Sequence, residues 1–152
     1  MLPLRLFCRS GIDIYMDRHR RLHLNKLRVV IAEDNPDILR QVVALLGDEF
    51  EIVGQAENGR LALECISRQR PDVVILDLQM PFLNGLEVTR ELKKITPIPA
   101  AVICSVQSDE EIVEAALQAG AICYVFKSCM ATDLGTAVKS AARNESFISV
   151  RQ

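Results

Sequence analysis

Aliphatic runs alternate along this chain with segments whose apolar residues recur at the spacing of a helix. The clearest run is VVIL at 73–76, which has no polar alternation and therefore predicts a strand that is buried on both faces. Asn35 and Pro36 suit the start of the first helical segment, and Gly47 suits its end. Five strands are predicted, at 28–33, 51–57, 73–77, 100–105 and 122–127. A helix is predicted after each strand, at 35–47, 59–70, 85–94, 109–119 and 132–143.

The order of these elements predicts the fold class. Strands that alternate with helices of this length pair in parallel and are joined by right-handed crossovers. We therefore expect residues 28–150 to form one α/β domain, a doubly wound five-stranded parallel sheet of (βα)5 order with helices on both faces. Ser108 or Asp109 is available to cap the fourth helix, and Thr132 or Asp133 is available to cap the fifth.

Residues 1–27 differ in charge from the rest of the chain. They contain six Lys and Arg residues and two acids, a net charge of +4, whereas residues 28–152 contain twelve and eighteen, a net charge of −6. Three interpretations of this basic N-terminal extension stay open: a flexible arm, which we favour; a false start, in which residues 1–15 are not translated and Met16 comes first; and a short amphipathic anchor. The negative charge of the predicted domain argues against direct nucleic-acid binding by it.

Cysteine use and hydropathy predict the compartment. The chain has five cysteines, an odd number, and no C-x-x-C pair, so the sequence suggests neither a disulfide framework nor a zinc site. No apolar run approaches the length of a membrane-spanning helix. We therefore expect a cytoplasmic protein with no membrane partner. The cysteines are Cys8, Cys65, Cys104, Cys123 and Cys129.

Reactive side chains stand at the ends of four predicted strands. Glu33 and Asp34 end the first strand, Asp77 the third, Ser105 the fourth and Lys127 the fifth. Because parallel strands point in the same direction, their carboxyl ends share one edge of the sheet, which is where open α/β sheets place their sites. Each residue taken singly has an ordinary explanation as a cap or a solvated charge, but the four strand ends together predict a functional site.

The three acids at this edge predict a magnesium site. Crowded carboxylates cost free energy unless a cation neutralises them, and oxygen ligands without His or Cys indicate a hard divalent ion such as Mg²⁺. Asp77 is then placed to attack a phosphoryl group and become an acyl phosphate. Lys127 would offset the charge on the phosphoryl oxygens, and Ser105 could hydrogen-bond one of them.

These residues resemble the receiver domain of two-component response regulators, the CheY-like proteins, whose fold is flavodoxin-like. The resemblance covers about residues 27 to 150 and rests on four motifs in order: "ED", "LDLQMPFLNG", "CSV" and "GAICYVFKS". It implies that Asp77 is the phosphoacceptor and that Asp34 binds the metal directly. It also implies that Glu33 acts largely through water and that the backbone carbonyl of Gln79 supplies another ligand.

The resemblance assigns three further roles. Ser105 would be the switch hydroxyl, Lys127 the phosphate partner, and Tyr124 the switch aromatic that turns inward when Ser105 engages the phosphate. Gln79 and Val106 would modulate access to Asp77, because Val106 follows the hydroxyl where the family usually has a small residue. We expect the bulk of Val106 to slow phosphorylation by small donors and to slow hydrolysis.

The sequence departs from the family pattern at two other positions, and one of them indicates which group of response regulators it resembles. Cys123 replaces the usual glycine before Tyr124, and Ser128 stands where many receivers have proline. Regulators of the NarL and LuxR type often carry that serine and a "YIS" segment similar to "FIS" at 147–149. In those proteins a DNA-binding domain follows. The chain is therefore either a complete single-domain regulator or part of a DNA-binding one, and the similarity favours the second.

The resulting hypothesis is a signalling switch that takes its phosphoryl group from a sensor histidine kinase or a phosphotransfer protein. Its downstream partner would be an output domain or another protein, and control of transcription is one possible output. A homodimer is also left open. A second hypothesis is a Mg²⁺-dependent phosphohydrolase, which Gln79 disfavours because such enzymes usually place a second acid at that position. A third is a receiver-like interaction module that needs no phosphate, which the bulk of Val106 keeps open.

Overall fold

The computed structural model describes residues 5–7, 12–16 and 22–151. Its first three strands form a separate antiparallel sheet in the order β1-β2-β3. The sequence patterns did not predict these strands, which are β1 (Arg5–Phe7), β2 (Ile12–Met16) and β3 (Leu22–Lys26). The interpretation of residues 1–27 as a flexible extension falls partly on positions outside the described residues, and it stays a prediction.

The main sheet is parallel and has six strands in the order β5-β4-β6-β7-β8-β9. All five predicted strands are confirmed. The expected count of five strands was wrong by one, because β9 has only two residues and so is too short to show a strand pattern. The strands are β4 (Arg28–Ala32), β5 (Glu51–Ala56), β6 (Val73–Leu76), β7 (Ala100–Ser105), β8 (Cys123–Phe126) and β9 (Phe147–Ile148).

A helix follows each of the five predicted strands. The Asn35 side chain caps the first helix by accepting hydrogen bonds from the backbone N–H groups of Asp37 and Ile38. No helix in the described part of the chain is long and apolar enough to cross a membrane. The helices are α1 (Pro36–Leu46), α2 (Gly59–Gln69), α3 (Gly85–Leu92), α4 (Glu110–Ala119) and α5 (Met130–Ala142).

The expected start of the fifth helix was wrong. The chain enters α5 through a 3-10 turn at Lys127–Cys129, so neither Thr132 nor Asp133 is its cap. The Thr132 hydroxyl instead donates to the carbonyl of Cys129 at 3.1 Å. The Asp133 carboxylate accepts a hydrogen bond of 2.7 Å from the hydroxyl of Ser149, which follows β9.

Hydrophobic side chains fill both faces of the sheet. The central strand β6 shows this directly, because Val74 and Leu76 lie in one core cluster and Val73 and Ile75 in the other. The first cluster packs the sheet against α2, α3 and α4, and the second packs it against α1 and α5. The doubly wound architecture with helices on both faces is therefore confirmed, and the unalternating VVIL run is explained by burial on two sides.

The four described cysteines are free thiols. Burial raises the pKa of Cys104 to about 12 and that of Cys123 to about 11. Both groups are therefore neutral thiols at physiological pH and behave as small apolar side chains. The other two described cysteines, Cys65 and Cys129, are half-buried, and the expected lack of a disulfide framework stays a prediction.

Candidate functional site

Four neighbouring strands of the main sheet deliver the predicted site residues to one edge. Glu33 and Asp34 follow β4, Asp77 follows β6, Ser105 ends β7 and Lys127 follows β8. Backbone hydrogen bonds continue the sheet into this edge, since the N–H of Asp77 donates to Ala32 at 3.0 Å and that of Glu33 donates to Ala56 at 3.0 Å. The backbones that carry the two acids are therefore held by the sheet itself.

The ammonium of Lys127 connects two of the acids. Its Nζ lies 2.7 Å from Oε2 of Glu33 and 3.3 Å from Oδ2 of Asp77. The other oxygen of Glu33 accepts a hydrogen bond of 3.0 Å from the backbone N–H of Asn35. Both oxygens of Glu33 are thus engaged by protein groups. The indirect role of Glu33, through water, at a metal site stays a prediction.

Among the described residues, the charges paired within the cluster do not balance. Carboxylate oxygens of Glu33, Asp34 and Asp77 lie within 4.8 Å of one another, and Lys127 pairs with Glu33 and Asp77. Burial raises the pKa of both Glu33 and Asp77, and the nearby Lys127 only partly opposes that effect. The ionised forms of these two acids therefore cost free energy in the metal-free protein.

Lys127 itself stays charged in this environment. Burial lowers its pKa, but the hydrogen bond to Glu33 and the negative charge of Asp77 more than compensate, so the pKa lies above its ordinary value. Its side chain is only 12% exposed. The site therefore holds one fixed ammonium among three acids, and a hard divalent cation with oxygen ligands fits the remaining negative charge.

The described structure also shows which groups could contact such a cation. Asp34 is exposed, whereas Asp77 is buried at 6% exposure and is oriented by a hydrogen bond from the backbone N–H of Gln79. The structure brings Glu33, Asp34 and Asp77 together as the sequence predicted. The ligand role of the Gln79 carbonyl stays a prediction.

Ser105 and Tyr124 are linked through the loop after β7. The Ser105 hydroxyl accepts a hydrogen bond of 3.1 Å from the N–H of Gln107, and the Gln107 carbonyl accepts one of 2.7 Å from the hydroxyl of Tyr124. The Tyr124 side chain is completely buried, and burial raises its pKa. Val106 lies between these groups in sequence and is 66% exposed. The switch roles and the effect of Val106 on access stay predictions.

The sequence patterns missed a close backbone approach at Gly59, against the loop that follows Asp77. Gly59 was interpreted only as the first residue of a helix, yet a Cβ atom there would lie 2.1 Å from the carbonyl oxygen of Leu83. Gly85, the first residue of α3, would place a Cβ 2.4 Å from the carbonyl oxygen of Asp77. Both glycines allow backbone segments to approach closely. The sequence carries no signal that distinguishes Gly59 from an ordinary helix start.

Comparison with known families gives a match over most of the chain. The profile of the family described as response regulator receiver domain matches residues 29–139. The transcriptional regulatory protein DegU of Brevibacillus brevis is 33% identical over 132 residues, which are 86% of this chain and 56% of DegU. The transcriptional regulatory protein PdtaR of Mycobacterium tuberculosis is 38% identical over 117 residues, 75% of this chain and 56% of PdtaR. The chain thus spans about half the length of these relatives.

Other relatives have a different activity in their names. The protein-glutamate methylesterase/protein-glutamine glutaminase of Geobacillus kaustophilus is 35% identical over 107 residues, 68% of this chain but only 31% of that enzyme. Among solved structures, the signal receiver domain of NarL from Mycobacterium tuberculosis has a TM-score of 0.74 and 32% identity, covering 78% of this chain and 97% of that one. A DNA-binding response regulator of the LuxR family from Staphylococcus aureus has a TM-score of 0.72 and 29% identity, covering 76% and 98%.

Proposed function

The chain belongs to the response regulator receiver domain family, and on that premise we propose that it is a phosphorylation-controlled switch whose phosphoacceptor is Asp77. The donor is a sensor histidine kinase or a phosphotransfer protein, and the reaction depends on Mg²⁺. One observation carries this proposal. Lys127 lies within 3.3 Å of Asp77 and 2.7 Å of Glu33, in a cluster with the Asp34 carboxylate at the shared edge of the sheet.

The proposed chemistry is transfer to a carboxylate oxygen. An oxygen of Asp77 attacks the phosphorus of a phosphohistidine, so that a new phosphorus–oxygen bond forms while the phosphorus–nitrogen bond breaks. The electron pair of the broken bond stays on the imidazole, which takes up a proton. Asp77 needs no general base for this step, because an ionised carboxylate has no proton to lose before it attacks.

The residues around Asp77 favour transfer by their charge and position. Asp34, Asp77 and the Gln79 carbonyl would hold Mg²⁺, which when bound supplies positive charge to the crowded acids and to the phosphoryl oxygens. Lys127 offers its ammonium to a second phosphoryl oxygen. Because its side chain is mostly buried, the ammonium is held in position and little water competes for it. Ser105, at 1% exposure, offers a hydroxyl from the neighbouring strand.

The conformational change would be transmitted from the site by the loop after β7. If the Ser105 hydroxyl turns to a phosphoryl oxygen, its hydrogen bond with the Gln107 N–H is lost, and the Gln107 carbonyl that accepts from Tyr124 is disturbed with it. The phosphoryl group then shifts the population toward a second arrangement of this loop only as far as it binds that arrangement better.

The output belongs to the same proposal. Two relatives are named as transcriptional regulatory proteins and another as a methylesterase, so one receiver fold serves different outputs. We favour control of transcription in the cytoplasm through a separate output domain or protein, because the solved structures of similar sequence include NarL-type and LuxR-type regulators. The net charge of −6 over residues 28–152 makes direct nucleic-acid binding by this domain unfavourable.

The proposal is tested by mapping phosphorylation. The protein is incubated with Mg²⁺ and either a small acyl phosphate or a phosphorylated histidine kinase, and the modified residue is identified by mass spectrometry. We expect a single phosphoryl group on Asp77 that is lost in Asp77→Asn. Asp72→Asn is the matched control, because Asp72 stands just before β6, whereas Asp77 stands just after it. This control should be phosphorylated like the wild type.

Two results would contradict the switch. Sustained release of phosphate from organic phosphate esters would indicate the phosphohydrolase instead. A protein that stays unmodified with both donors, and whose backbone amide signals do not respond to beryllium fluoride in the presence of Mg²⁺, would indicate an interaction module that needs no phosphate.

A further inference from the structure

The loop that joins Asp77 to α3 is pressed against the first residue of α2. A Cβ atom at Gly59 would lie 2.1 Å from the carbonyl oxygen of Leu83 and 2.6 Å from its Cβ, closer than non-bonded atoms can approach. Gly59 does not have a positive φ, so the requirement for glycine comes from this close approach and not from the backbone conformation. Any larger residue would have to move α2 or the loop.

Two further contacts connect the same turn of α2 with the same loop. The N–H of Gly59 points to the carbonyl of Pro81 at 3.4 Å, and the Arg60 guanidinium lies over the ring of Phe82 at 5.3 Å from its centre. Phe82 has a φ of 69°, in the left-handed region, and is 74% exposed. A non-glycine residue keeps such a conformation only when its surroundings determine it.

We propose that Gly59 is a positioning residue for the metal site, which acts by holding the loop at 78–84 in place and thereby fixing the Gln79 backbone. This inference rests on the proposed function. Gln79 is exposed, but its neighbours Leu78 and Met80 are buried in the core, and the Pro81 carbonyl that contacts Gly59 is two residues away. A displacement of the loop is therefore transmitted to the one backbone group beside Asp77 that is predicted to bind the cation.

The test compares Gly59→Ala with Gly54→Ala. Gly54 is a suitable control because a Cβ there would meet Sγ of Cys65, also in α2, at 2.2 Å, but that contact is the end of a side chain and not the backbone of the loop. Binding of Mg²⁺ to each folded protein is measured by calorimetric titration. We expect Gly59→Ala to bind Mg²⁺ about tenfold more weakly than the wild type, and Gly54→Ala to bind it as the wild type does.

A second measurement needs no metal. Amide hydrogen exchange in the metal-free proteins should be faster in Gly59→Ala at Leu83 and Gly85, whose N–H groups donate within the loop to Pro81 and Leu78. Exchange at these amides should be unchanged in Gly54→Ala. If Gly59→Ala does not fold, Arg60→Ala takes its place, since it removes the contact of the Arg60 guanidinium with the exposed Phe82 ring and leaves Gly59 unchanged. We expect about threefold weaker Mg²⁺ binding in Arg60→Ala.

The outcomes separate the inference from the function. Wild-type Mg²⁺ affinity in Gly59→Ala, or in Arg60→Ala when it is the substitute, would overturn the positioning role. An equal loss of Mg²⁺ affinity in Gly54→Ala would also overturn it, because crowding at any point of α2 would then be enough to weaken Mg²⁺ binding. A wild-type protein that binds no Mg²⁺ would instead overturn the proposed function, and the inference with it.

Discussion

Two loops leave the same edge of the sheet and are held in different ways. The loop at 78–84, after Asp77, has two side chains in the core and is enclosed by close backbone contacts at Gly59 and Gly85. The loop at 106–109, after Ser105, is held mainly by hydrogen bonds, and its first residue is 66% exposed. A segment that is packed into the core is restricted to one conformation. Hydrogen bonds at the surface can be replaced by bonds to water at a small cost in free energy.

This difference matches what each loop is proposed to do. A metal site needs ligands that are fixed before the ion binds, and a switch needs a segment with a second accessible arrangement. The second loop is less constrained, as its Ser108 carbonyl illustrates. That carbonyl accepts a hydrogen bond from the exposed side chain of Arg151, which follows β9. The comparison therefore predicts that changes in the first loop affect stability and metal binding, and that changes in the second affect the switch.

The largest effect is expected from Gly85→Ala in the enclosed loop. A Cβ atom at this position would lie 2.4 Å from the Asp77 carbonyl oxygen and 3.1 Å from Cα of Leu78, and both of these are backbone atoms that cannot rotate away. Overpacking of this kind costs about 2–3 kcal/mol of unfolding free energy. Urea denaturation followed by circular dichroism measures it.

Gly135→Ala is the matched control for this prediction. Gly135 lies within α5, and the nearest described atoms outside that helix to a Cβ there would be side-chain atoms of Glu49 and Phe50 at 4.0 Å. The control should keep or gain stability, because alanine is the better helix former by about 1 kcal/mol. Equal stability of Gly85→Ala and the wild type would show that the first loop is not enclosed as described.

A smaller effect is expected from Tyr124→Phe, which removes a hydrogen bond between β8 and the second loop. The variant keeps the buried ring but loses the 2.7 Å hydrogen bond to the Gln107 carbonyl, at a cost of about 1 kcal/mol. Amide hydrogen exchange at Val106 and Gln107 should become faster, while the affinity for Mg²⁺ should stay that of the wild type. A loss of Mg²⁺ affinity similar to that expected for Gly59→Ala would break the distinction between the loops.

The smallest effect on stability is expected from Val106→Ala. The side chain is 66% exposed, so its truncation should change the unfolding free energy by less than about 0.5 kcal/mol. The rates of phosphorylation by a small acyl phosphate and of hydrolysis should both rise, since the smaller side chain widens the access to Asp77. Radioactive or mass-spectrometric time courses measure the two rates. If both are unchanged, the proposed role of Val106 is wrong.

The main sheet and its site could be predicted because they follow from local patterns and one topological rule. Buried runs such as VVIL mark the strands, parallel pairing places their carboxyl ends together, and the structure brings Lys127 to Glu33 and Asp77 as that rule requires. The resemblance to receiver domains is confirmed by the family match. The roles assigned to individual site residues stay predictions.

The remaining features depend on contacts between residues far apart in sequence, which local patterns do not encode. The start of α5 was placed too late because Asp133 looked like a cap, whereas its carboxylate binds Ser149. The close approach at Gly59, the first residue of α2, could not be predicted because Leu83, the residue it contacts, lies on the loop before α3. The short β9 was missed because two residues show no periodicity. The strands β1 to β3 were missed, although IDIYM at 12–16 and LHLNK at 22–26 alternate in part, because residues 1–27 were interpreted by their charge.

The position of β9 has a consequence for how copies of this protein meet in concentrated solution. An exposed edge strand is a template for the strands of other chains. Here the outer edge of β8 is already paired with Phe147 and Ile148, and Ser149 extends the cover by donating its N–H to Tyr124 and accepting one from Phe126. The edge of the sheet on this side is therefore β9, and an edge strand of two residues offers a neighbouring molecule little backbone to pair with.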